Sequence, residues 1–404
     1  MSQDTQSIQF DKFIKSPPAL VYEAFTNATS LQEWMCDFAT VNPKPGGRIY
    51  LAWNSDFYAV GEYISLQANE KLTFSWFGRS EPAFTKVEIR LEEQLDGTLL
   101  QLEHQYVGTS PEWEVTRSAI QQGWESGLEN LASVLEIGED LRFTRRPMLG
   151  IGIGEFNEEI AHKLNVPVSK GILVDTTVDG MGARAAGLKT NDVIVRMDSK
   201  EIVDWASLGA VLQSHRAGDK IQVEFYRGPQ KSTVLMELSK RPIPPIPATI
   251  AELGEFDRNR QEKIHAELDD FFSQVTEEEA SFKPAPDEWS VNETLAHLIQ
   301  TERYQQFWII ELIGRQEGHH DDWPGNILAG LQALVAAHPT LSELRQAYKH
   351  STDETVALLS NLPPEFQQHK GSFWRLAYNI VDTPFHHRIH LDQMRAAIEA
   401  ARGG

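Results

Sequence analysis

Residues 242–247 read Pro-Ile-Pro-Pro-Ile-Pro. Proline has no amide hydrogen and holds φ at about −65°, so no helix or central strand can cross this run. The run is expected instead to form a short, stiff polyproline II spacer between two separately folded stretches of chain. A second seam lies at the basic cluster Arg142 to Pro147. The seams divide the chain into domains 1–142, 146–242 and 248–402. A length of 404 residues agrees with that division, because single cores stop growing at roughly 250–300 residues. The composition, 41% apolar and 24% charged, is that of packed domains rather than of a disordered polymer.

Charge narrows the partners. With 37 Lys plus Arg against 58 Asp plus Glu, the formal net charge is −21, which argues against nucleic acid and against an anionic membrane. Taken up to residue 145, from 146 to 242 and from 243 onward, the charge is −10, +1 and −12. An anionic group such as a peptide carboxylate meets least repulsion in the middle domain. Cys36 stands alone, so no intrachain disulfide exists and a reducing compartment is expected. The N-terminus has neither a basic nor an apolar leader region, and no membrane-length apolar run occurs; the expected location is cytoplasmic.

In the first domain, Ser16-Pro17 supplies an N-cap with proline at the first helical position. Ser30-Leu31-Gln32-Glu33 has capping-box spacing, so two short helices are expected after a first strand. Leu72, Phe74 and Trp76 alternate with Thr73 and Ser75, and Val87, Ile89 and Leu91 alternate with charged residues, the period of half-buried antiparallel strands. A long helix from near Ser110-Pro111 sets Ile120, Trp124, Leu128, Leu131 and Leu135 on one face. This order, with the stretches PPALVYEAFTN, SLQEWM, PGGRIYL, EKLTFSW and GWESGLENLASVLE, resembles the START-like helix-grip (SRPBCC) superfamily over residues 6–138. The likeness is to its branch related to activators of the heat-shock-protein ATPase. It implies a small apolar ligand or a client protein held between sheet and helix, with Trp53, Trp76, His104 and Tyr106 as cavity residues. From the residues alone, the same aromatics serve as plain core, and His104, sharing the inward face with Leu100 and Leu102, reads as a satisfied buried group.

The middle domain opens on Gly150-Ile151-Gly152-Ile153-Gly154, which mimics a dinucleotide-binding loop, but Glu155 stands where the third glycine is needed and no strand–helix unit surrounds it. Short strands at 171–174 and 192–195, a helix capped by Asp204, and strands at 220–226 and 232–238 come next. The stretches MLGIGIG, KGILVDTTV, ARAAGLKTNDVIVRMDSKEIVDWASLGAVLQ and GDKIQVEFYRG resemble a PDZ domain of the bacterial HtrA type over residues 146–240. Asn191 and Ser199 depart from the usual glycines at two turns. The resemblance implies a β-sandwich or barrel-like domain that takes the C-terminal peptide of a protein partner. Backbone N–H groups of Leu149-Gly150-Ile151 would hold the carboxylate, the peptide would pair with Ile151-Gly152-Ile153, and Leu208 and Leu212 would line its last pocket. The alternative is a groove filled from within or by a neighbouring domain. No G-x-S-x-G nucleophile motif occurs, so proteolysis is not expected.

The last domain is helical in pattern, broken near Lys283-Pro284, Trp323-Pro324-Gly325 and Leu362-Pro363-Pro364, and a four-helix bundle is the economical reading. Ser290-Val291-Asn292-Glu293 is a capping box before Leu295, His297 and Leu298. His386 and His390 are four apart, so their Cβ atoms lie about 5–6 Å apart on one helix face. The stretches DEWSVNETLAHLIQTE and FHHRIHLDQ resemble the DinB-like superfamily, which includes metal-dependent thiol transferases. By that resemblance His297, His386 and His390 hold a divalent metal (zinc, nickel or iron), His387 is an adjacent non-ligand, and a small thiol is a partner. Leu391-Asp392 departs from the arginine and glycine that often follow the last histidine. His319 and His320, beside Asp321 and Asp322, read as a solvated loop.

The chain thus reads as a multi-domain α+β protein, with two functional readings. One is a ligand- and peptide-binding protein carrying a metal site; the other is a metal-dependent thiol transferase or hydrolase acting on small electrophiles.

Overall fold

The computed structural model describes residues 4–318, 327–382 and 384–403, with the side chains of 384–386 outside the description. Its backbone falls into two compact units, one made of residues 1–139 and 244–404 together, the other of 140–243.

The first unit begins with β1 (Thr5–Ile14), α1 (Pro18–Thr26) and α2 (Ala28–Trp34). Strands β2 (Phe38–Val41), β3 (Arg48–Ala52), β4 (Tyr58–Gln67), β5 (Lys71–Gly78), β6 (Thr85–Gln94) and β7 (Gly97–Gly108) follow, then the long α3 (Glu114–Ile137). The strands form one antiparallel sheet in the order β1-β7-β6-β5-β4-β3-β2. Its inward face carries the alternating Leu72, Phe74 and Trp76 and Val87, Ile89 and Leu91, all buried, against Ile120, Trp124, Leu128 and Leu131 of α3. The expected capping box at Ser30 is not formed. Asn27 caps α2, its side chain accepting from Ser30 N at 3.0 Å, so Ser30 sits inside the first turn with its hydroxyl turned to another partner. Helix α1 likewise starts one residue later than expected, at Pro18, with Pro17 at its cap.

The same unit resumes after the proline run with α8 (Ile250–Phe272), α9 (Glu277–Ser281), α10 (Val291–Ile313), α11 (Leu328–Ala337), α12 (Leu341–Ser360), α13 (Lys370–Asp382) and α14 (Pro384–Gly403). Four of these are long, which is the bundle expected from the sequence, and α9, α11 and α13 are added to it. Capping boxes at Thr249, Ser290 and Thr340 start α8, α10 and α12.

The second unit contains α4 (Leu141–Thr144), β8 (Pro147–Met148), β9 (Ile151–Gly154), α5 (Glu158–Lys163), β10 (Ile172–Thr177), α6 (Gly182–Ala185) and β11 (Asp192–Met197). It ends with β12 (Lys200–Glu201), α7 (Trp205–Gln213), β13 (Lys220–Arg227), β14 (Gln230–Glu237) and β15 (Ser239–Lys240). The main sheet runs β14-β13-β11-β10-β9, with β12 on β11, while β15 pairs with β8. Asn191 sits at φ +71° in the turn before β11, and in the turn after it the left-handed residue is Asp198, at φ +49°, rather than Ser199; Asn and Asp tolerate that region better than other side chains. Among the described residues, no helix is long and apolar enough to cross a membrane.

Candidate functional site

Three places were marked by the sequence. In the helix-grip segment, His104 on β7 is fully buried and both its ring nitrogens are engaged. Trp124 Nε1 donates to Nδ1 at 2.9 Å, so the proton lies on Nε2, which meets Thr85 Oγ1 at 2.7 Å; that hydroxyl donates to the Trp76 carbonyl at 3.2 Å. Burial lowers the His104 pKa to about 4, so the ring is neutral at physiological pH. Trp76 packs on both His104 and Trp124, with ring centroids 6.2 and 6.0 Å apart. Trp53 is half-buried and donates to the Met35 carbonyl at 2.6 Å. Tyr106 stands apart from this cluster: it is 55% exposed, at φ +66°, with Lys86 over its ring.

In the PDZ-like unit, β9 closes one end of the sheet and pairs only with β10 among the described residues. Gly150 precedes it at φ +78°, and a Cβ there would stand 2.2 Å from the Met181 Cβ. Leu149, Leu208 and Leu212 are buried in one apolar cluster, with Ile151 partly covered against it. Gly152 and Ile153 continue along β9, and Ile153 is exposed.

In the bundle, the rings of His297 (α10) and His390 (α14) lie 4.6 Å apart, and both residues are buried. Trp289 flanks them, 4.9 Å from the first ring and 6.5 Å from the second. Gln393 Oε1 takes a hydrogen bond from His390 Nδ1 at 3.0 Å, which directs the ring's lone pair to Nε2. Burial lowers the His390 pKa despite that bond, favouring the neutral form that binds metals. His386 lies one turn earlier on α14, with its side chain outside the described residues, as do His319, His320, Asp321 and Asp322. Among the described residues, no three His, Cys, Asp or Glu side chains converge on a common point suited to a metal. The buried imidazole pair with one oriented ring is the donor chemistry that a divalent transition metal takes.

Sequence reasoning missed Arg315, which follows α10 at φ +55°. Its guanidinium reaches Glu23 at 3.0 Å, Glu33 at 2.7 Å and Ser372 at 2.8 Å, and also the Ser30 hydroxyl. Asn27 Nδ2 donates to the Arg315 carbonyl at 3.2 Å, and Glu317 N donates to Thr29 Oγ1 at 3.0 Å. The helix pair of the sheet domain is thereby tied to the bundle. The displaced capping residue Ser30 and the buried Glu33 were the available clue.

Models of three families match the chain: Activator of Hsp90 ATPase homolog 1-like protein over residues 15–136, PDZ domain over 147–238, and DinB superfamily over 260–394. Among curated relatives, a probable periplasmic serine protease do/HhoA-like of Haemophilus influenzae is 32% identical over 105 residues, which is 26% of this chain and 22% of the relative. Periplasmic serine endoprotease DegP of Salmonella typhimurium is 32% identical over 114 residues, 28% of this chain and 23% of that one. The chain therefore spans less than a quarter of either relative's length. Among solved structures, CalU16 from Micromonospora echinospora is 30% identical and covers 33% of this chain and 75% of its own, at a TM-score of 0.28. The Aha1 dimer from Colwellia psychrerythraea is 20% identical, covering 33% and 98%, at 0.30. The chain thus joins three family segments in one polypeptide, in order an Activator of Hsp90 ATPase homolog 1-like segment, a PDZ segment and a DinB superfamily segment.

Proposed function

We propose that the chain is a multi-domain ligand- and peptide-binding protein whose bundle holds a divalent metal through His297, His386 and His390. The observation that carries this reading is the buried His297–His390 pair at 4.6 Å. Two imidazoles so close inside a bundle lose hydration, and a shared cation repays that cost better than the flanking Trp289 does. A divalent ion on three imidazoles supplies an open position where a small thiol or water becomes nucleophilic near neutral pH. The chain's own share is to keep His390 oriented through Gln393 and to exclude water with Trp289.

In the PDZ-like unit, a partner's C-terminal peptide adds as a strand to β9, its carboxylate on the Leu149-Gly150-Ile151 loop. The outer edge of β9, unpaired among the described residues, and the positive φ of Gly150 support this. The first segment, following its family, takes an apolar ligand or a client protein near Trp76 and His104. A cytoplasmic setting suits a single cysteine, Cys36, that is buried and in no disulfide. Metal analysis tests the central claim. Near-stoichiometric zinc, nickel or iron that is lost in His390→Ala and in His297→Ala supports it; a well-folded wild type without metal after reconstitution sinks it.

A further inference from the structure

Between α8 and α12 the bundle opens into a cleft of about 330 Å³, near the lower end of the range of small-molecule pockets, roughly 300–1,000 Å³. Its floor is apolar. Leu268 of α8, Leu295 of α10 and Tyr348 of α12 line it, and all three belong to the buried core of the bundle. Its wall on α12 is polar, because Ser342, Gln346 and Lys349 recur at steps of four and three residues and so share one helix face. His265 and Asp269, also four apart, line it from α8. The cleft includes neither His297 nor His390.

The charges around it are unequal in availability. Arg345 pairs with Asp269 at 2.5 Å and lies over the Phe272 ring, 5.3 Å from its centroid, so both members of this pair are engaged with each other. His265 donates from Nε2 to Thr352 Oγ1 at 2.7 Å, because that hydroxyl gives its own hydrogen to the Lys349 carbonyl at 2.9 Å. Burial, and after it Lys349, holds the His265 pKa below the ordinary value, so the ring is neutral at physiological pH. Arg345 and Lys349 against Asp269 then leave the lining with one positive charge, inside a domain whose net charge is −12. Lys349 is the cation at hand: its pairing with Asp353, one turn further along α12, is at 3.8 Å with both side chains 58% exposed, and such pairs contribute little.

We propose that this cleft binds a small carboxylic acid with an apolar body of about one ring, the body on Leu268, Leu295 and Tyr348 and the carboxylate on Lys349, Ser342 and Gln346. Ammonium, hydroxyl and amide N–H groups on one wall supply the donors that two carboxylate oxygens accept. The ring takes the apolar floor out of water, which an inorganic anion does not do. An amine fits less well, because the carboxylate in the lining is already held by Arg345.

The test is saturation-transfer NMR of the full-length chain titrated with phenylacetate, with phenylacetamide as its neutral isostere and with acetate, which lacks the ring. Saturable binding of phenylacetate at about 1 mM or tighter, with the amide and acetate both much weaker, is expected. Lys349→Gln should weaken it about tenfold. Gln346→Trp, at an exposed position, should fill the cleft and abolish binding, with thermal melts confirming that both variants are folded. No saturation with phenylacetate, equal binding of the amide, or affinity unchanged in either folded variant would overturn the proposal. Acetate binding as tightly as phenylacetate would reduce the cleft to an adventitious anion site and overturn it as well.

Discussion

Arg315 Nη1 lies 2.7 Å from Glu33 Oε1, joining the loop after α10 to the second helix of the sheet domain across 282 positions of sequence. Both side chains are largely buried, 14% and 5% exposed. Burial works to lower the arginine's pKa, yet Glu33 and Glu23 raise it on balance, so the charged form is held firmly. Removing one partner leaves the other as an uncompensated buried charge, which costs about 3–5 kcal/mol. Arg315→Ala is therefore expected to lower the melting temperature of the sheet–bundle unit, and Arg315→Lys to recover only part, since lysine cannot present the fork that reaches Glu23, Glu33 and Ser30 together. Denaturant melts of a double-mutant cycle with Glu33→Gln check this; additivity of the two single changes would refute the coupling.

His104 carries a pH signature. Its folded pKa of about 4 lies below the ordinary value of 6.5, so the folded state binds fewer protons than the unfolded chain between those pH values. Stability is then complete above about pH 6.5 and declines on acidification toward 4, by about 3 kcal/mol for this one group. His104→Gln, which keeps an acceptor for Trp124 and a donor for Thr85, should flatten that slope while costing little at pH 8. An unchanged slope in urea melts between pH 7 and pH 4.5 would count against it.

Glu302 has the opposite sign. Burial lifts its folded pKa to about 7 from 4.5, so stability is complete below about pH 4.5 and falls as pH rises through 7. Glu302→Gln should gain roughly 2–3 kcal/mol over the parent at pH 8 and almost nothing at pH 4. Equal gains at both pH values would point to packing rather than titration.

Fold was legible wherever local chemistry and period agree. The alternations along β5 and β6, the box at Ser290, the cap at Asp204 and the apolar stripe of α3 all form as read. The Ser30 box failed because Asn27, three residues earlier, is an equally good cap and Ser30 is drawn to Arg315. No local pattern reports such a partner, because the contact depends on how α13 packs against α2 and α3. The buried carboxyl groups of the bundle escaped for a related reason: Asp257 and Glu302 look like solvated helix charges until the helix phases place them inward. His104 was legible as a satisfied core group, since its neighbours Leu100 and Leu102 fix its side of the strand.

Gly150 links backbone to recognition. At φ +78°, with Met181 in the space a Cβ would take, Gly150→Ala is expected to cost the PDZ-like unit about 1–3 kcal/mol and to move the carboxylate-holding loop. Peptides with free and amidated C-termini separate the two effects. Wild type should prefer the free carboxylate, and the variant should lose that preference even at temperatures where it remains folded. Indifference of the wild type to amidation would exclude carboxylate capture there.

Gln393 tests the histidine pair without touching either ring. Its side chain accepts from His390 Nδ1 at 3.0 Å and so sets which nitrogen faces a ligand. Partners of this kind typically contribute 10–100-fold to metal affinity, so Gln393→Leu should weaken zinc binding by roughly that factor. Gln393→Glu, which keeps an acceptor at the same place, should restore most of it. Competition against a chromophoric chelator gives the affinity directly and needs no activity. Because Gln393 is half-buried, a purely structural role predicts lower stability in the leucine variant with metal affinity unchanged, and that outcome would detach it from the site.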